Sequence, residues 1–331
     1  MVSIKKNNDV GKDKDNQQKN KTKSFVHLML DNPAFSALIF LVIFFSIIST
    51  RFFSVNNIIN IFTQVSITAI IAFGMTFVIT SANIDLSVGS VLALAGMVFM
   101  ALSVAGIPVF WGVLITIGLG ALIGFFDGFV VTFFKLPSFI ATLAMMTIAR
   151  GLALLMRGGT TISQGIQPSY YWLGQSRIAG IPFPVIALML IFLFMEFLMS
   201  RTTFGTYTRA IGSNPEAARL AGISNNRILI IIFAIVGICS AIAGIITASR
   251  LGVGSPVTGQ MRELDAITAV ILGGTAMSGG IGTIRGTFVG ALVVTILNNG
   301  LTIMGVSSYW QQILLGLVLI GALAIKKFQR S

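Results

Sequence analysis

Residues 229–249 read LIIIFAIVGICSAIAGIITAS, twenty-one positions without one charged side chain. A helix needs about 20 mainly apolar residues to cross the hydrocarbon of a bilayer. This run supplies them and leaves no polar face for water. Working outward from it, comparable runs place ten spans at 34–50, 58–80, 87–105, 109–133, 138–156, 182–200, 229–249, 266–281, 286–305 and 309–325. The first and eighth are short, and glycine crowds the eighth, which leaves re-entrant or broken segments open at both places. Two connections are long: 157–181, with Tyr170, Tyr171 and Trp172, and 201–228, polar and basic. The expected fold class is therefore all-α, a polytopic membrane protein of about ten transmembrane helices.

Composition agrees. Of 331 residues 55% are hydrophobic and only 10% charged, where soluble domains carry about 25% charged residues. Ten of the 32 charges fall within residues 1–23, so residues 1–32 read as a Lys-rich, disordered cytoplasmic tail before one transmembrane domain over 33–331. A chain this poor in charge cannot cover a water-facing surface. Soluble enzymes and nucleic-acid-binding domains are excluded despite the net charge of +12. The amino-terminal stretch does not read as a signal peptide, since its polar part is too long and no small-residue cleavage site follows.

Cys239 is the single cysteine and His27 the single histidine, the latter in the tail. That removes an intramolecular disulfide, a cysteine metal site, and any imidazole in the membrane for zinc, a serine–histidine dyad or a proton relay. No catalytic residue, metal or cofactor is assigned to the chain.

Lys and Arg set the orientation. With the amino terminus inside, 16 of the 22 lie in cytoplasmic segments, and only Arg51, Arg157, Arg177, Arg250 and Arg262 lie outside. Both termini and the 201–228 loop are then cytoplasmic. A weak repeat matches Gly120-Ala121-Leu122, Asp127-Gly128 and Ser138-Phe139 to Gly290-Ala291-Leu292, Asn299-Gly300 and Ser308-Tyr309; Asp85 and Asp265 open corresponding spans. Units of five spans must be related by inverted topology, which makes a 5+5 plan.

No phosphate-cradling GxxxxGK[ST] motif occurs, so any ATP consumed must be bound by a partner. Gly273 to Gly280 is glycine-rich without lysine, and its expected role is close helix packing through small residues. Within the inner loop, Asn214 or Ser213 suits a helix N-cap, Pro215 its first position and Glu216 its positive end, while Gly222 closes it after two turns. A short helix with one wet side needs something to dock against; a plain surface linker is the other reading.

Glu216-Ala217-Ala218 followed by Gly222 resembles the EAA loop of ABC importer permeases. Ile84-Asp85-Leu86-Ser87-Val88-Gly89-Ser90, Glu263-Leu264-Asp265-Ala266-Ile267, Leu272-Gly273-Gly274-Thr275, Asn298-Asn299-Gly300-Leu301 and Gly305-Val306-Ser307-Ser308-Tyr309 resemble signature segments of the ribose-type sugar permeases, in order over about residues 33–328. The resemblance implies a non-catalytic permease subunit that imports a monosaccharide, ribose first among the candidates, across the bacterial inner membrane. It also implies three partners beside membrane lipid: an ATP-binding subunit, an extracytoplasmic sugar-binding protein, and a second permease copy or a different permease. Gly212, Asn214, Pro215, Glu216, Ala217, Ala218 and Gly222 would then couple to the ATPase. Asn83 before Ile84, where glycine is frequent, and Asp127, where asparagine is common, depart from the pattern.

The sugar path is expected to draw on Asn83, Asp85, Ser87, Asn298, Asn299 and Gln311, because sugars need amide and hydroxyl partners. The bland alternatives are that Asp85 is an N-cap, that the amides tie helices together, and that Arg150 and Glu196 reach the interface. An ion-coupled secondary transporter of a small polar solute is the rival class, with Asp85, Asp127 and Glu196 as its carboxylates.

Overall fold

The computed structural model describes residues 33–328, so the Lys-rich tail lies outside the described residues. Thirteen helices follow in order: α1 Pro33–Ile48, α2 Val55–Thr80, α3 Val88–Val104, α4 Val109–Phe133, α5 Ser138–Leu155, α6 Pro168–Gln175, α7 Phe183–Arg201, α8 Thr203–Ser213, α9 Pro215–Leu220, α10 Asn225–Leu251, α11 Arg262–Leu272, α12 Ile284–Ile303 and α13 Ser308–Phe328. One antiparallel ribbon, β1 Arg177–Ile178 against β2 Ile181–Pro182, sits between α6 and α7. Among the described residues six helices, α2, α4, α5, α7, α10 and α12, are long and apolar enough to cross a membrane, and α1 and α3 are shorter apolar helices.

The expected eighth span is corrected. Residues 266–281 do not form one helix: α11 starts at Arg262, ends at Leu272, and leaves 273–283 without helix. Eleven residues rise about 16 Å, roughly half the hydrocarbon thickness. Gly274, Gly279 and Gly280 take φ of +91°, +81° and +79°, a left-handed backbone that ends a helix at little steric cost. The glycine run is thus a turn system rather than a purely helical packing stripe, although Gly273 does lie against Gly286 of α12.

Burial sorts the helices. α2 is enclosed on nearly every side, with a continuous buried run from Val65 to Thr80, which is the pattern of a core helix apolar all round. α10 crosses it and packs on α3 and α4. Gly112, Thr116, Gly120, Gly124 and Gly128 recur every four residues along one buried face of α4. A methyl group at Gly120 would strike the Gly237 carbonyl of α10, and one at Gly124 the Phe233 carbonyl. Small residues at this spacing let two backbones meet where no hydrophobic drive acts between helices in lipid. The opposite face of α4 exposes Leu122, Phe125, Phe126, Phe129 and Phe133, side chains suited to lipid.

Candidate functional site: a coupling end and a polar cavity

At one end of the bundle the chain leaves α7 and makes two short helices. α8 was not anticipated from sequence; its Gly205, Thr208, Ile211 and Gly212 face inward. Gly212 is set directly over the Thr80 carbonyl at the end of α2 and beside Gly280. The Gly280 amide in turn donates to that carbonyl at 2.8 Å. Three segments distant in sequence therefore join through backbone atoms: α8, the end of α2, and the turn after α11.

α9 follows, and its start and stop are written locally. Asn214 Oδ1 accepts from the amides of Glu216 and Ala217, each at 3.0 Å, and Pro215 needs no such partner. At the other end Gly222 has φ +83°. The Ile223 amide reaches back to the Ala218 carbonyl and the Gly222 amide to the Arg219 carbonyl, each at 3.0 Å, which together form a Schellman motif. Asn225 Nδ2 donates to the Pro215 carbonyl at 2.7 Å and ties α9 to the start of α10. Ala218 is buried; Glu216, Ala217 and Leu220 stand in solvent, Leu220 with 75% of its surface exposed. Glu216 Oε1 lies 2.6 Å from Arg219 Nη2, and the two hydrogen bonds from that guanidinium hold the Glu216 carboxyl below its usual range.

The expected path residues do not come together. Asn298 and Gln311 border a cavity of about 310 Å³ between α2, α11, α12 and α13. Asn299, their neighbour in sequence, instead exchanges two amide hydrogen bonds with Asn57 of α2, at 3.0 and 3.1 Å, and so ties α12 to α2. Asn83, Asp85 and Ser87 lie in the α2–α3 connection, away from that cavity. Asn83 folds back on Ser81. Asp85 is not the N-cap of α3: that position is Ser87, whose amide and hydroxyl both donate to Asp85 Oδ1, at 2.8 and 2.7 Å. Ser87 Oγ also lies 3.3 Å from Asp127 Oδ2, and both carboxyl groups are buried. Ser138 and Thr142 of α5 accept from the Ile84 and Leu86 amides, each at 3.1 Å. The connection is thus satisfied bond by bond, as buried polar backbone must be.

Arg150 and Glu196 both find partners remote in sequence. Arg150 donates to the carbonyls of Pro256 and Thr258. Glu196 pairs with Arg285 at 2.8 Å, linking α7 to the first turn of α12.

Sequence reasoning missed most of the cavity wall. Gln64 and Thr68 of α2, Arg262 and Asp265 of α11, and Thr295 of α12 join Asn298 and Gln311 there. Arg262 Nη1 lies 3.0 Å from Asp265 Oδ2 and 3.3 Å from Thr68 Oγ1. Among the described residues Met261 and Leu315 are the only apolar members of the lining. The cavity opens about 18 Å along α2 from Thr80, counting twelve residues from Thr68. Nothing in the sequence brings residues 64 and 311 together; the signal that could be read was polar side chains in apolar spans, and it found Asn298 and Gln311.

The family described as branched-chain amino acid transport system / permease component matches residues 57–323. The chain belongs to it. Among similar proteins in this permease family are the ribose import permease protein RbsC of Haemophilus influenzae, 40% identical over 92% of this chain and 96% of its own length, and RbsC of Escherichia coli, 41% identical over 90% and 94%. The xylose transport system permease protein XylH of Escherichia coli is 36% identical over 86% and 88%. No solved structure matches. The similarity to ribose-type sugar permeases read from the sequence motifs is thereby established, and the chain is a helical multi-pass membrane protein of the permease class.

Proposed function

We propose that this chain is the membrane-spanning permease subunit of an ATP-driven importer that carries a monosaccharide, ribose first, into the cell. The observation that carries the reading is α9: a helix of six residues, capped at both ends, exposing Leu220 and Glu216, and joined through Gly212 to α2 and to the turn after α11. Such a projection has a purpose only if a partner seats on it, and the partner supplies the ATP hydrolysis that this chain has no loop to support. An extracytoplasmic binding protein delivers the sugar at the cavity end, and a second copy of the permease completes the pore. The ten apolar segments cross the inner membrane, the eighth as the short helix α11 continued by the non-helical 273–283 stretch, in a 5+5 inverted plan with both termini and α9 inside.

The family description names branched-chain amino acids, while the similar proteins named above are ribose and xylose permeases. The cavity favours the sugar. Amides, hydroxyls and one internally paired charge couple face it, with no aliphatic pocket for a branched side chain. The ion-coupled alternative needs a carboxyl group on the path that is free to titrate. Asp85 and Asp127 bond Ser87 elsewhere, Glu196 is paired with Arg285, and the one carboxyl on the cavity wall among the described residues, Asp265, is paired with Arg262.

The test is reconstitution of this chain in liposomes with its ATPase and binding protein, reading ATP hydrolysis and uptake over a panel of pentoses and hexoses. One sugar should stimulate hydrolysis and accumulate inside. Glu216→Lys and Gly222→Asp should abolish uptake in a protein that still inserts. Uptake driven by an imposed proton gradient without the ATPase would overturn the reading.

A further inference from the structure

We propose that the cavity between α2, α11, α12 and α13 is a stopping point for an uncharged pentose, with Asp265 and Thr295 as the groups that bind its hydroxyls and Arg262 as the residue that positions Asp265. This rests on the sugar-permease reading and adds to it a place and a set of contacts.

Three observations converge. The first is Thr295. It is 3% exposed, and its Oγ1 has no hydrogen-bond partner among the described residues. Several helical threonines satisfy themselves on the carbonyl four residues back: Thr63 on Ile59 and Thr76 on Ala72 at 2.8 Å, Thr302 on Asn298 at 2.7 Å. Thr295 lines the cavity and does not. Thr80 and Thr268 share with Thr295 a buried hydroxyl without a partner among the described residues, but neither lines the cavity. A buried hydroxyl without a partner carries a desolvation cost that a ligand hydroxyl in the cavity would remove.

The second is the charge balance. Arg262 and Asp265 pair within α11 at 3.0 Å, so the wall presents strong donors and acceptors with no net charge. A carboxylate has about four acceptor positions, and Asp265 retains capacity after Arg262 has bonded it. An ionic solute would meet no countercharge here. A sugar hydroxyl, donor and acceptor at once, suits a wall that holds the Asp265 carboxyl and the amides of Gln64 and Asn298.

The third is size and grip. About 310 Å³ lies at the small end of the range for small-molecule sites, room for one pentose and a few waters. Among the described residues the lining has no aromatic ring on which a sugar would stack. The hold is therefore weak, as a transported solute requires if it is to leave.

The test uses the complete complex in liposomes. Cys239 is the single cysteine and is fully buried, so Thr302→Cys at the cavity mouth adds the one accessible thiol. Its labelling rate by a charged, water-soluble methanethiosulfonate is measured with and without D-ribose. Ribose should slow labelling severalfold at residue 302 and leave Thr160→Cys, exposed outside the cavity, unaffected. Adding Thr295→Val or Asp265→Asn to Thr302→Cys should raise the half-protecting ribose concentration about tenfold, the worth of one good hydrogen bond. Thr295→Val nearly conserves shape and carries the test if Asp265→Asn does not insert. Ribose uptake with labelling at residue 302 indifferent to ribose would overturn the proposal and leave the permease reading standing. Absence of uptake of any sugar would overturn both.

Discussion

The two ends of this molecule are built on opposite rules. At the α9 end, backbone meets backbone: Gly212 lies on the Thr80 carbonyl, and the Gly280 amide bonds the same oxygen at 2.8 Å. The side chains of α9 turn outward, Leu220 and Glu216 into solvent. At the cavity end, side chains meet side chains. Asn57 pairs with Asn299, Arg262 with Asp265, and Thr295 waits without a partner. Backbone contacts have no rotamers to give way, so they pass a displacement on with little loss. Side chains with spare bonding capacity instead take up and release a solute. α2 runs between the two, so on the proposed function it is the element through which docking at one end would reach the other.

The comparison breaks most visibly at Gly212. Gly212→Val drives a branched side chain into the Thr80 carbonyl and the Gly280 turn, and overpacking of this kind costs about 1–3 kcal/mol even where neighbours can shift. We expect sugar uptake to fall to background while the chain still inserts. Gly118→Val, on a helix face with open space around it, should transport as the parent does. If both variants transport equally, the backbone junction transmits nothing.

Adjacent residues give the next largest contrast. Asn299→Leu strands the Asn57 amide in a partly buried place, a loss of about 1–3 kcal/mol, and should lower Tm before it alters the concentration dependence of uptake. Asn298→Leu should do the reverse, since Asn298 faces the cavity. Thermal unfolding of the purified variants beside uptake kinetics separates the two. The opposite pairing of effects would exchange their roles.

These two residues also show where a sequence stops being informative. Both read as one polar doublet in an apolar span. A rotation of about 100° per residue puts one against α2 and the other on the cavity, and only the packing of α12 decides which. α9 was legible because its determinants lie within twelve residues: Asn214, Pro215, Gly222 and Asn225 act on their own neighbours. The apolar helices were legible because hydropathy integrates over twenty positions. The break after Leu272 was foreseen only as an option, because hydropathy is blind to backbone conformation and Ala276, Met277 and Ile281 keep the run apolar. The cavity draws on residues from 64 to 315, and no local pattern records that meeting. The partners of Arg150 and Glu196, at 256, 258 and 285, were not legible for the same reason, since they are remote in the chain.

A smaller effect sharpens the contrast at α9 itself. Asn214→Ala removes the acceptor for two amides, worth about 1 kcal/mol at a helix start. Because α9 is bounded by its own caps, the loss should stay local. Amide exchange should quicken over residues 216–220 and leave α2 and α12 unchanged. Faster exchange in α2 as well would mean that α9 props up the bundle rather than projecting from it.

The smallest expected effect concerns acid. Arg219 holds the Glu216 carboxyl below its usual range, so the folded state favours the charged form. Whatever stability this adds is present above the unfolded carboxyl value, near pH 4.3, and is lost as pH falls through the lower folded value. Both side chains are 64% exposed, where water screens such a pair almost completely. The isolated permease and its Glu216→Gln variant should therefore show the same Tm at neutral pH and in mild acid. A difference should emerge only with the ATPase seated on α9, where the same pair is covered and the charge on Glu216 has a partner to lose. Measuring Tm of both forms, alone and in the complex, over that pH range tests whether Glu216 serves the fold or the interface.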